Sequence, residues 1–384
     1  MKLCLNTFSR DLLLFLIVIY FAQGALYPVG SVISKTALLS ILIISSIYLV
    51  KSLIIKSEKD LFYYAWAIFL FLNFIGFIFK GNFDIQHTSQ IRNILTVFLP
   101  FFPFYYFSYK GKLSKKSLLR FFVIFLPIVV ASHYANINSI LIERTSSNED
   151  VVSNTSYFFV ALIPYIFLWG KHKIASFLSI ILIFFFIIEG SKRGALVAGI
   201  AGFLVYSYYQ IININPKKRL QGYILTFTGF LIAMYVSYVF YLSNEYLVSR
   251  IKNEGDSGRE LISSSLWNNW YNSDSIINYL FGFGFLSTIK YSGFGVLAHN
   301  DWLETLINFG LLGLSLYLLV FYTAIRFIIN PKVNKESRFI MLTIVLMWFL
   351  QTLFSMYYTA SYTVISSILM GYLIGTYHYN QRRK

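Results

Sequence analysis

Residues 174–212 read IASFLSIILIFFFIIEGSKRGALVAGIAGFLVYSYYQII. Two apolar runs, 174–190 and 194–212, flank a polar turn at 190–193 that carries Lys192 and Arg193. Each run has the length of a membrane-crossing helix, about 17 to 25 residues. Extended outward, the same reading finds further runs at 11–27, 36–55, 61–79, 93–109, 118–136, 156–170, 221–243, 302–328, 339–358 and 361–378. The chain is therefore expected to be an all-α polytopic membrane protein of about 12 transmembrane helices, one integral domain over residues 1–384. Pro100, Pro103, Pro127 and Pro164 fall inside these runs and are expected to mark kinks, which membrane helices tolerate.

Composition agrees with this reading and removes others. Hydrophobic residues make up 57% of the 384 and charged residues only 12%, half the roughly 25% usual in a globular domain. With 39 Phe and 30 Tyr, a soluble fold could not hide its apolar surface behind so few charges. One cysteine, Cys4, excludes a disulfide scaffold. The net charge of +16 does not point to nucleic acid, because the basic residues lie in short clusters between apolar runs rather than in a patch on a soluble domain.

Those clusters orient the chain. With both termini in the cytoplasm, 22 of the 32 Lys and Arg fall on the inner side, as the positive-inside rule requires. Of the 16 acidic residues, only Asp11, Glu58, Asp60 and Glu336 join them. Both termini are then cytoplasmic, and the family resemblance that the motifs below carry implies the bacterial inner (cytoplasmic) membrane with the functional face periplasmic. Lys2, Arg10 and the first short run also fit a signal peptide, with Ala22 to Ala25 as a weak cleavage site; its removal would leave eleven helices and the same sidedness. Three of the outer segments stand out: 137–155, 190–193, and a long loop at 244–301, large enough to carry short helices and, by its length, expected to be functional.

Unusual polar groups gather in these outer segments. Ser191 is a plausible cap for the helix that follows, which puts Arg193 in a first turn where the helix dipole disfavours a cation unless an anion joins it. The plainer alternative is an arginine snorkelling to lipid phosphates. Ser257 and Glu260 have capping-box spacing, so a helix is expected from about 258 to 271, with Arg259 in its first turn as a phosphate ligand or as half of an internal ion pair. Trp267 and Trp270 read as interfacial anchors. At 298–313, Asn300 or Asp301 can cap the next helix, Asp301 and Glu304 repeat the box spacing, and His299 is left just outside as a candidate general base. Glu189 is placed to pair with Arg193 or orient it.

Absent signals narrow the chemistry. The chain has no D-x-D pair for a metal-bound nucleotide sugar, no Walker loop and no G-x-S-x-G elbow. The other four histidines show no metal-ligand spacing. Mid-membrane charges, expected of a transporter, are scarce.

Taken together, Gly190-Ser191-Lys192-Arg193-Gly194-Ala195, then Ser257-Gly258-Arg259, Leu280-Phe281-Gly282-Phe283-Gly284, and His299-Asn300 followed by Leu303-Glu304, Gly310 and Gly313, resemble the motif series of the O-antigen ligase and polymerase superfamily. Residues 153–164 resemble its middle segment, so the similarity covers roughly 150–325. The resemblance implies a C-type membrane glycosyltransferase that is metal-independent and inverting, with no cofactor. Its donor would be an undecaprenyl-diphosphate-linked glycan at the periplasmic face. The acceptor would be another lipid-linked repeat unit for a polymerase, or the lipid A core for a ligase. Membrane lipids and a chain-length regulator complete the expected partners, and nucleic acid is not among them. His299, Arg259 and Arg193 would be catalytic, with Lys192, Asn300, Glu304, Ser257 and Glu189 binding substrate. Polymerase is preferred, because the Phe-, Ile- and Tyr-rich composition resembles that of repeat-unit polymerases. The rival from another class is a transporter or flippase of lipid-linked sugars.

Overall fold

The apolar runs become helices whose ends are set by local chemistry. The computed structural model describes residues 5–55, 59–143, 154–170, 172–190, 192–243 and 258–383. Helix α1 spans Leu5–Phe21. Helices α2 (Val32–Ile54), α3 (Leu61–Lys80) and α4 (Ile85–Phe98) start on Ser31, Asp60 and Asp84, whose side-chain oxygens accept first-turn N–H groups.

Proline decides where runs break. The run expected at 93–109 is two helices, α4 and α5 (Phe101–Tyr109), separated by Leu99-Pro100. Pro100 lacks an N–H, and its ring crowds the carbonyl of the preceding turn. The run expected at 156–170 starts as α7 (Ser156–Leu162), then tightens at Pro164 into a 3-10 helix over Ile163–Trp169. By contrast, α6 (Lys115–Glu143) carries Pro127 without ending.

Then follow α8 (Lys173–Glu189), α9 (Arg193–Ile212) and α10 (Arg219–Ser243). Within the expected long loop lie three short helices, α11 (Arg259–Tyr271), α12 (Ile276–Phe281) and α13 (Thr288–Tyr291). Residues 244–257 lie outside the described residues, and Ser257 with them. The chain continues as α14 (Asp301–Ile329), α15 (Lys335–Phe354) and α16 (Val364–Arg382). Among the described residues there is no named strand.

Among the described residues, six helices are long and apolar enough to cross a membrane: Val32–Ile54, Leu61–Lys80, Lys115–Asn138, Arg193–Ile212, Asp301–Ile329 and Lys335–Phe354. This is the architecture of a polytopic membrane protein. The other expected spans are shorter, broken, less apolar or only partly described, so a total of twelve goes beyond what length and composition establish.

Aromatic side chains fill the centre. Trp66 and Phe98 lie with ring centroids 4.3 Å apart, and Phe321 and Trp348 4.5 Å apart. Large apolar residues also cover the outside; Phe79 and Ile174 are 78% and 79% exposed, as suits a hydrocarbon solvent rather than water. A close helix approach follows from a small-residue pair: a Cβ on Gly371 or Gly375 of α16 would sit 2.5 Å from the Phe101 carbonyl oxygen or 2.4 Å from that of Tyr105, both on α5. Helix α9 packs on α15, and α14 packs on α3 and α15. These contacts bring the start of α9, the end of α15 and the start of α14 to one end of the bundle. The opposite end holds the Lys115–Glu336 ion pair (2.6 Å).

Candidate functional site

At the first of these ends, Gly194 allows close approach. A Cβ there would lie 2.4 Å from the Tyr157 hydroxyl of α7 and 2.7 Å from the Phe354 Cβ of α15. Lys192 is the N-cap of α9 and Arg193 its first residue. Ser191, expected as the cap, lies outside the described residues. Arg193 is exposed, and Lys192 is half-buried.

Arg259 reaches the same place from α11. Its Nη1 donates to the Phe354 carbonyl at 2.6 Å. That carbonyl is the last of α15, where the helix dipole favours a cation, and this offsets the position of Arg259 in its own first turn. Helix α11 begins with Gly258 as its N-cap, at φ 74°, and Ser257, one half of the expected capping box, lies outside the described residues. Among the described residues no carboxylate forms an ion pair with Arg259, so the internal acid partner considered from sequence is not found there.

His299 stands beside this pair of cations. Burial first, then the charges of Arg259 and Lys192, hold its imidazole below the ordinary value of 6.5. The ring is therefore neutral at pH 7 and able to accept a proton. Its backbone has φ 52°, a left-handed conformation that costs on the order of 1–3 kcal/mol and persists only when neighbours enforce it. Both neighbours are fixed. On one side the Ala298 N–H donates to Glu304 Oε2 (3.0 Å). On the other, Asn300 caps α14 by accepting from the Trp302 and Leu303 N–H groups (2.9 and 3.1 Å).

Asn300 and Glu304, expected against substrate, are hydrogen-bonded within the protein. Glu304 is fully buried and also accepts from Thr288 Oγ1 and Asn308 Nδ2, each at 2.8 Å. Its oxygens are occupied by the protein. Asp301 does not repeat the box either. It is buried, and its carboxylate accepts from the Tyr317 hydroxyl (2.8 Å) and from the N–H groups of Tyr357 and Tyr358 (3.1 and 3.3 Å). Asp301 therefore fixes the turn just after Phe354, and with it the acceptor of Arg259. Sequence gave no sign of this role, since the partners lie on distant segments.

The two glycine motifs prove to be one contact. Gly310 has φ 63° and ψ −158° and interrupts α14. The Ile307 and Asn308 carbonyls then accept from the N–H groups of Phe283 and Gly284 (2.9 and 3.1 Å). A Cβ on Gly282 would lie 2.5 Å from the Asn308 carbonyl carbon. This backbone seam docks the segment that leads into His299.

Glu189 was expected beside Arg193. Its Oε2 lies instead 3.4 Å from Nε2 of the buried His133, whose Nδ1 is 2.6 Å from Thr155 Oγ1. This link joins α6, the start of α7 and the end of α8, directly ahead of Lys192. In the sequence His133 is only one of four histidines without metal-ligand spacing, because its partners are remote along the chain. Among the loop aromatics, Trp267 is exposed as expected of an anchor, whereas Trp270 is only 8% exposed and packs with Ile262, Leu266 and Leu306. Among the described residues, no three of His, Cys, Asp and Glu converge to hold a metal.

The fold and the site define the class: an all-helical protein of the polytopic membrane type, with cations and a neutral histidine gathered at one end. No family model matches the chain, and no curated protein matches its sequence.

Proposed function

We propose that this protein is a membrane glycosyltransferase of the O-antigen ligase and polymerase kind. It moves a glycan from an undecaprenyl-diphosphate donor to a sugar hydroxyl at the periplasmic face, most directly as a repeat-unit polymerase. One observation carries the reading: His299 lies within electrostatic reach of both Arg259 and Lys192, residues from three separate segments. That set suits a reaction whose leaving group is a diphosphate and whose nucleophile must lose a proton.

Arg259, Lys192 and the exposed Arg193 stabilise the charge that grows on the departing diphosphate, and fixed charges of this sort are commonly the largest catalytic contribution. His299 takes the proton of the acceptor hydroxyl as that oxygen attacks the anomeric carbon; general-base help is worth roughly 10² to 10⁴ in rate. One displacement inverts the anomeric centre. Asn300, Glu304 and Asp301 keep His299 and Arg259 in place.

The test is made in cells lacking the protein, complemented with wild type, Arg259→Ala or His299→Ala, by a gel profile of surface lipopolysaccharide beside an extract of lipid-linked glycan. Both variants should insert normally and leave core capped with a single repeat. Bare core with polymer stranded on the carrier would make the protein a ligase. Bare core with only single repeats trapped inside would make it a flippase. Full activity in both variants would remove the site.

A further inference from the structure

The start of α7 meets both ends of the turn that carries Lys192 and Arg193. Before the turn, a Cβ on Gly190 would sit 1.8 Å from the Ser156 hydroxyl oxygen. After it, a Cβ on Gly194 would sit 2.4 Å from the Tyr157 hydroxyl oxygen. Ser156 and Tyr157 are consecutive and both buried, so α7 straddles the turn. The absence of a side chain at each glycine is what lets the two hydroxyls come so near the backbone.

Tyr157 also reaches the partner of Arg259. Its hydroxyl is hydrogen-bonded to the Ser355 side chain and lies within electrostatic range of Arg259. Ser355 is the C-cap of α15 and directly follows Phe354, whose carbonyl accepts from Arg259 Nη1. From the other side Tyr362 stacks flat on the Tyr157 ring (5.7 Å between centroids, 4° between planes). Gln351 Nε2 donates to the Tyr362 hydroxyl and to the Met356 carbonyl, which ties the stack to the same turn.

A phenylalanine at 157 would fill the same space and keep the stack. The hydroxyl adds a link between the end of α15 and the start of α9. Tyr157 is only 2% exposed, so this hydroxyl meets protein rather than substrate.

We infer that Tyr157 is a positioning residue for the transfer reaction: its hydroxyl fixes the end of α15 against the start of α9, and so sets where Arg259 and Lys192 stand relative to His299. The inference rests on the glycosyltransferase reading and assigns that site a residue it does not yet contain.

The consequence is measurable at His299. Among the described residues, the charges that act on it are Arg259 of α11 and Lys192 at the start of α9. The carboxylates of the helix that follows it are engaged elsewhere, Glu304 by the Ala298 N–H and Asp301 by the Tyr317 hydroxyl. Cations disfavour an imidazolium, so letting them drift away allows His299 to protonate at higher pH.

The experiment uses full-length protein in lipid nanodiscs, with lipid-linked repeat units extracted from cells lacking the protein as the probe. Transfer rate is measured against pH for wild type, Tyr157→Phe and Tyr165→Phe. Tyr165 is the control, a buried tyrosine whose hydroxyl donates to the Ile365 carbonyl at 2.8 Å. Tyr157→Phe should fold, lose about tenfold in kcat/KM and move its acid limb upward by about half a pH unit. Tyr165→Phe should lose melting temperature while its acid limb stays at the wild-type position. A wild-type acid limb in Tyr157→Phe, or an equal shift in both variants, would overturn the positioning role and leave Tyr157 a core aromatic. No transfer by the wild type would instead remove the glycosyltransferase reading, and the inference with it.

Discussion

His299 combines three conditions that separately mean little. It is half-buried, it faces two cations, and its backbone is held left-handed between a cap and a buried carboxylate. Burial and positive charge both favour the neutral ring, so its folded value lies below 6.5. The sign follows directly. The base form predominates above the ordinary histidine value and is lost only as the pH falls below it. Transfer rate in nanodiscs should therefore stay level from about pH 8 down to about 6.5 and decline on the acid side of that, since a histidine's unperturbed midpoint is near 6.5. An acid limb centred at or above the ordinary value would count against His299 as the base. Asp301 and Glu304 show the opposite use of an ionisable group: each is buried with its oxygens engaged by the protein, and each acts through what it holds.

The elements around the site are joined by backbone approach as much as by side chains. Helix α14 is interrupted at Gly310, and the freed carbonyls are taken up by the turn at Phe283 and Gly284. A side chain at 310 faces two obstacles: the positive φ, and a Cβ position 2.5 Å from the Leu280 carbonyl carbon and 2.6 Å from the Gly282 nitrogen. Gly310→Ala should therefore lower stability by about 1–3 kcal/mol through backbone strain alone, and it should cut transfer as the segment before His299 shifts. Gly229→Ala on α10 is the control, because among the described residues nothing lies within 4 Å of its Cβ position. Thermal unfolding in detergent compares the two, and equal melting temperatures would deny the seam its structural role.

At the scale of the molecule, sidedness is the decisive property, since the donor would be presented at one face only. Lys290 and Lys332 are both exposed and lie on either side of α14 along the chain. In a Cys4→Ser background, a cysteine at 290 should react with an impermeant maleimide on intact spheroplasts, whereas one at 332 should react only after permeabilisation. The reverse pattern would place the cation cluster in the cytoplasm and defeat the proposed reaction. The basic clusters set the expected orientation through the positive-inside rule, in which the short loops count most.

Much of this was readable along the chain. Runs such as 36–55 and 61–79 are close to α2 and α3, because helix formation and lipid exposure depend on local length and composition. The start of α11 near 258 and the cap at Asn300 were also legible, being matters of neighbouring residues. Proline marked the places of trouble, but whether it broke a run at Pro100, tightened one at Pro164 or passed inside α6 depended on packing. Side-chain partners were the least legible. That Glu189 meets His133, that Asp301 holds the turn after Phe354, and that Gly282 docks on the interruption at Gly310 are contacts between segments far apart in sequence. Residue types and their local periods specified helices and an accumulation of cations. Only tertiary packing chose which buried polar group each carboxylate would satisfy, because that choice is fixed by which helix ends meet.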